Sequence, residues 1–231
     1  MEERQGTMVR HTFSQITHDI LSDLAVVRDR GVLPEFWPPL SVTLNNADRA
    51  GLAHLARFLE NRSLARLNEA TLWSRVLFPL LMMAEQPPAE AWSGVTLRAE
   101  FSRFILEGTL DGVIGFSRSG NLRRPFLVVA EAKRRVEASD PQPQLFAELL
   151  AVAHANRLVV QTEPQELFGC YTIADIWTFV HARVEGFDAD RPRLEVVLSR
   201  EYAGWVEAET VLGLLKGIVA RSLAAWQQYD V

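Results

Sequence analysis

The sequence predicts an α/β fold in which a mixed central sheet is flanked by helices. Three observations carry that expectation. Strand-like apolar runs occur over 97–106, 110–116 and 127–133, with connections too short for a crossover. Apolar residues at helical spacing mark stretches on either side of them, over 69–84 and 144–155. More strand-like runs and one further helical stretch then complete the chain.

In chain order, Phe13, Ile16, Ile20, Leu21 and Leu24 recur at helical spacing and predict an amphipathic helix over 12–30, stopped by Gly31. Pro34, Pro38 and Pro39 beside Phe36 and Trp37 predict an irregular packed linker over 33–40. Asn45 or Asn46 can cap a helix over 47–61. These segments form an expected helical N-terminal extension, 1–62, ahead of a main domain, 63–231. Asn68 can cap the helix over 69–84. That helix carries Leu72, Val76 and Leu80 on one side and Trp73, Leu77 and Leu81 on another, so it should be buried. Pro79 should kink its last turns, and a loop follows over 86–90.

The three central strands should form an antiparallel meander, turning at Gly108 and again over 117–121 with Gly120. A loop over 134–143 leads into the 144–155 helix, on which Gln144, Glu148 and Ala151 lie near one line. A short strand over 158–161, strands over 167–173, 176–184 and 193–200, and an amphipathic helix over 207–228 end the expected order.

Composition narrows the function. The 231 residues are 48% hydrophobic and 23% charged, as in an ordinary globular protein. Net charge is −5, which does not advertise nucleic-acid binding, but local patches outweigh net charge. One such patch holds Arg118, Arg123, Arg124, Lys133, Arg134 and Arg135 against a single acid, Glu131. Cys170 is the lone cysteine and reads as a buried small hydrophobe. The polar N-terminus shows no secretory signal, and the run from Val76 to Ala84 is too short to span a bilayer, so a cytoplasmic protein is expected. No glycine-rich phosphate loop is present, which excludes an NTPase motor. His11, His18 and His54 lack partners at metal-ligand spacing, and His181 reads as a strand residue.

The chemistry gathers in Asp111, Glu131 and Lys133. Strand side chains alternate, so Glu131 and Lys133 share a face, with Val129 and Leu127 continuing it inward. A carboxylate and an ammonium at the rim of a buried strand are costly unless they pair or bind something. Two carboxylates suit a hard ion such as Mg²⁺ (or Mn²⁺), and a nearby lysine can orient the attacking water. That combination points to phosphodiester hydrolysis. A salt bridge at a strand end, without function, is the other reading of the same residues.

The pattern Asp111, then Glu131-Ala132-Lys133 closing the next strand, then a helix carrying Gln144, resembles the PD-(D/E)xK nuclease superfamily, which has the restriction-endonuclease-like fold. Asn68-Glu69-Ala70 opening the preceding helix is similar to the type I restriction-subunit branch. Leu110 replaces the proline of the family's name. The resemblance implies metal ligation by Asp111, Glu131, the Ala132 carbonyl and Glu69. It implies catalytic roles for Asp111, Glu131, Lys133 and Gln144, with Gln142 as the fallback for Gln144. Arg123, Arg124, Arg134 and Arg135 would contact phosphates. The implied partner is DNA, cut in restriction, defence or recombination by a homodimer or a larger defence complex. The alternative is a catalytically silent binding or assembly subunit on the same fold.

Overall fold

The computed structural model describes residues 8–60, 67–133 and 140–226. At its centre is a hairpin, β4 (Phe104–Arg118) and β5 (Asn121–Lys133), closed by Ser119 and Gly120. Both turn residues have positive φ, 54° and 72°, as a two-residue type I′ turn requires. Against the other edge of β4 runs β3 (Ala89–Glu100), so the expected antiparallel meander is present. Its first turn falls after Glu100 rather than at Gly108, which lies inside β4. The expected strand over 97–106 therefore straddles the turn. The loop expected over 86–90 gives way to β3 at Ala89.

The sheet continues through β6 (Gln165–Ile173), parallel to β5, then β7 (Ile176–Glu185) and β8 (Arg193–Leu198), both antiparallel to their predecessors. A two-residue strand, β9 (Tyr202–Ala203), pairs with β7. The expected strand over 158–161 does not form. Leu158 and Val159 sit there in a turn, largely exposed, where helix α5 (Gln142–Arg157) ends.

The helix expected over 12–30 is corrected. Val9–Thr12 is a strand, β1, parallel to β4, and Val26–Val32 is another, β2, parallel to β8 at the far edge of the sheet. Only α1 (His18–Leu24) between them is helical, with Thr17 Oγ1 capping Ile20. The apolar residues behind that expectation are buried nonetheless. Phe13, Ile16, Leu21 and Leu24 pack under α5. The N-terminal segment is thus mixed rather than a helical extension. Helix α2 (Asn46–Leu59) forms as expected, with Asn45 and Asp48 in a reciprocal capping box.

Helices cover both faces of the sheet. On one face α5 is buried along almost its whole length, with Leu145, Leu149, Leu150 and Val152 fully enclosed. On the other lie α6 (Ala208–Trp226) and the helix opened by α3 (Glu69–Leu72) and closed by α4 (Phe78–Met83). Asn68 caps α3 by accepting from the Thr71 amide. Between α3 and α4, Trp73–Leu77 forms a π turn in which the Phe78 amide donates to the Trp73 carbonyl. Pro79 cannot donate to Arg75 and its ring crowds that carbonyl, and the widened turn accommodates it without a break. Among the described residues no helix is long and apolar enough to cross a membrane.

Candidate active site

The site sits where two strands share one edge of β4. β3 occupies one edge over Ile105–Phe116. On the opposite edge β1 pairs over Phe104–Glu107 and β5 pairs over Gly112–Arg118. Between them, 108–111 has no strand partner on that side. Here a cleft of about 440 Å³ opens, lined by Thr12, Phe13, Ser14, Glu69, Gly108, Thr109, Asp111, Glu131, Lys133 and Gln144. Gly108 is required at its floor. Its φ is 155° and a Cβ there would lie 2.7 Å from the Phe13 ring.

β5 leaves β4 after Ala130 but keeps β6, so Glu131, Ala132 and Lys133 stay in register with Tyr171, Thr172 and Ile173. The Asp111 side chain bridges the parting: the Ala132 amide donates to its Oδ2 at 3.0 Å. A strand residue presents its N–H and C=O on the same edge, so the Ala132 carbonyl also faces the parting. Leu127 does not continue the Glu131 face. It is the extra residue of a bulge, since Ile114 pairs with Val128 and Gly115 with Phe126, and it packs into the opposite layer. The bulge lies four residues before Glu131, and beyond it Val129 leads the α5 face directly to Glu131 and Lys133.

Glu131 is 1% exposed. Its Oε1 lies 2.7 Å from Lys133 Nζ, yet neither carboxylate oxygen has a hydrogen-bond partner of proper geometry. Lys133 Nζ also donates to Gln144 Oε1 at 3.0 Å, and Gln144 Nε2 donates to Glu148 Oε1 at 3.0 Å. The Glu131, Lys133, Gln144 and Glu148 side chains therefore form one string, from the cleft into the core. Gln142 takes no place in it and instead donates to the Tyr171 hydroxyl.

Burial and crowding set the charges. Burial and then the Asp111 charge push the Glu131 carboxyl up to about 7, against the pull of Lys133. Burial raises Asp111 too, opposed by the Ala132 amide and Lys133. Fully buried Glu148 is driven well above the usual carboxylate range by burial and by Glu131. For Lys133, burial is outweighed by Glu131, Asp111 and Glu69, and its ammonium is held more firmly than usual. Among the described residues the pocket is thus an acidic cluster with one retained cation, Lys133.

The structure brings Asp111, Glu131, Lys133, Gln144 and Glu69 to one cleft, while Ala132 packs into the opposite layer and reaches Asp111 only through its backbone. It does not bring Arg123 and Arg124 there. They lie at the other end of β5, about 25 Å away at strand rise. Arg134 and Arg135 lie outside the described residues. Two contributions were not foreseen. Glu148 was visible only as one of three residues along a helix line, and its burial among apolar neighbours gives it weight. The wall formed by Thr12, Phe13 and Ser14 had no sequence signal, because it depends on β1 joining β4 across more than ninety residues. No family model and no curated protein matches this chain.

Proposed function

We propose that this chain is a Mg²⁺-dependent nuclease of the PD-(D/E)xK type, with a restriction-endonuclease-like fold, that hydrolyses DNA phosphodiester bonds. The observation carrying this reading is the convergence of Asp111, Glu131 and Lys133 where β4 and β5 part. The order of a helix, a meander, a second helix and a parallel strand around that point supports the fold assignment.

The residues fit a hard divalent cation. Buried Glu131 has the Lys133 ammonium beside Oε1 but no hydrogen bond of proper geometry to either oxygen, Asp111 accepts from the Ala132 amide through Oδ2, and the Ala132 carbonyl faces the same gap. Among the described residues no three His, Cys, Asp or Glu side chains form a ready metal cluster. Mg²⁺ does not require one, since it is held by one or two carboxylates and retains several waters. Asp111, Glu131 and the Ala132 carbonyl would hold it, with Glu69 at the cleft wall. Once bound, the ion would lower the pKa of a water and draw charge from the phosphoryl oxygens.

The chain's own groups do the rest. Lys133 keeps its proton and presents positive charge beside the scissile phosphate, where it orients the attacking water and stabilises developing negative charge. Gln144 fixes the Lys133 ammonium. Phe13 and β1 close the cleft on the far side and restrict the approach of bulk water. Incubation of supercoiled, linear and single-stranded DNA with Mg²⁺ or Mn²⁺ tests the reading. Cutting by the parent and not by Glu131→Ala or Lys133→Ala is expected; equal cutting by all three overturns it.

A second reading rests on the Glu131–Lys133 ion pair, which already satisfies the buried carboxylate's charge without a metal. On it, the chain is a silent subunit that binds or assembles through the same fold. Absence of Mn²⁺ uptake by the folded protein in calorimetry would select this reading.

A further inference from the structure

Asp111 is held at its backbone as well as at its carboxylate. Opposite it in β3 stands Gly94, whose φ of 67° takes it out of the ladder: pairing passes from Ser93 with Gly112 to Val95 with Leu110. The Asp111 carbonyl is instead met by a side chain. Ser93 Oγ donates to it at 3.1 Å, and Trp73 Nε1 donates to Ser93 Oγ at 2.8 Å. The Trp73 ring lies flush on the strand beside it, so that a Cβ on Gly112 would stand 2.5 Å from the ring edge. Trp73 follows Glu69 by one helical turn, and the two therefore share a helix face.

We infer that Trp73 and Ser93 are positioning residues, a relay that fixes Asp111 relative to the helix bearing Glu69. The inference rests on the metal-dependent reading above. Three elements build the relay: β5 grips the aspartate's carboxylate, β3 grips its carbonyl, and one helix both locks β3's serine through its π turn and presents Glu69 to the cleft. The break in the ladder at Gly94 makes the relay necessary, because ordinary pairing would have satisfied the Asp111 carbonyl without Ser93. It also makes the site sensitive to a residue that touches neither metal nor DNA. Ser93 is exposed, and removal of its hydroxyl opens no cavity. Its loss therefore acts on the placement of Asp111 and little on packing.

Mn²⁺ binding by calorimetry, well below the unfolding temperature, tests this on the full chain, with thermal unfolding measured in parallel. Supporting residues behind metal ligands typically contribute about ten- to a hundredfold to affinity. Ser93→Ala is expected to weaken Mn²⁺ binding about tenfold with little change in unfolding midpoint. Ser93→Thr, which retains the hydroxyl, is expected to bind as the parent does. Trp73→Phe keeps the ring and removes the donor, and it should shift affinity in the same direction; it carries the test if Ser93→Ala does not fold. Equal Mn²⁺ affinity in the parent, Ser93→Ala and Trp73→Phe overturns the relay and leaves the metal reading standing. A parent that takes up no Mn²⁺ overturns the metal reading, and the relay falls with it.

Discussion

Lys133 Nζ donates to Gln144 Oε1 at 3.0 Å while standing 2.7 Å from Glu131 Oε1. The ammonium is thus aimed by a helix residue as well as by its strand neighbour. Gln144→Ala removes the aim and keeps the charge. Single-turnover cleavage should slow by about tenfold to a hundredfold, the range for groups that orient a charged partner. DNA affinity should change little. A variant that loses affinity and keeps its rate would show that Gln144 contacts the substrate instead.

Lys133→Ala leaves a buried carboxylate beside Asp111 and Glu148 without its cation. Breaking a buried pair typically costs about 3–5 kcal/mol, and the loss here should be smaller because Glu131 can take up a proton instead. Urea unfolding should therefore show a larger loss at pH 8 than at pH 5. An equal loss at both would mean that Lys133 contributes by packing.

Two carboxylates bend the pH profile in opposite directions. Glu131 is raised from 4.5 to about 7, so between those values the unfolded chain gives up its proton first and metal-free stability falls as pH rises. Glu166 is lowered from 4.5 to about 2 by its bond to His181, with Arg221 assisting against burial. Its contribution is present above 4.5 and is lost as pH falls toward 2. Unfolding curves from pH 2 to 8 should show Glu131→Gln flattening the neutral side and Glu166→Gln the acid side.

Gly112→Ala places a methyl against the Trp73 ring, 2.5 Å from its nearest carbon. Overpacking of this kind costs about 1–3 kcal/mol. Thermal unfolding should drop by that order, and metal affinity should fall with it because Asp111 is the preceding residue. A neutral outcome would mean that the ring moves freely.

Arg123 and Arg124 lie about 25 Å from Glu131 along β5, which is roughly seven base pairs of duplex. Arg123→Ala with Arg124→Ala should weaken binding to duplexes that reach beyond that length and spare shorter ones. The salt slope should flatten by about one unit per lost phosphate contact. An equal effect on short duplexes would place the substrate elsewhere.

Much of the site was legible because it is local in sequence. Glu131 and Lys133 share one strand, Gln144 opens the next helix, and Asp111 lies one hairpin back; burial of the Phe126–Ala130 run announced where they would meet. The N-terminal strands were not legible. Val26–Val32 is a mostly exposed edge strand whose only clear pattern is its pairing with β8, some 165 residues away. Phe13, Ile16, Leu21 and Leu24 do mark buried positions, but a strand, a turn and a short helix satisfy them as well as one long helix does. The bulge at Leu127 was equally silent, since one extra residue leaves an apolar run apolar. Ser93 carried no signal and Trp73 only that of a buried helix side, because their importance to Asp111 follows from a ladder break at a single glycine.

The first two strands join the sheet near its opposite ends, β1 on β4 and β2 on β8, with α1 crossing between them over the α5 face. In the time domain, these two pairings span the longest sequence separations of the described sheet, and pairings of that kind form slowly. β2 has no ladder until Arg193–Leu198 exists, and loop closure over that span is entropically slow. The Thr12–Ser14 wall of the cleft hangs on the β1–β4 pairing, across more than ninety residues, and it is expected to form late in folding. A chain caught part-way through folding would carry its acidic cluster on an open edge, and a closed cleft would itself report that folding has ended.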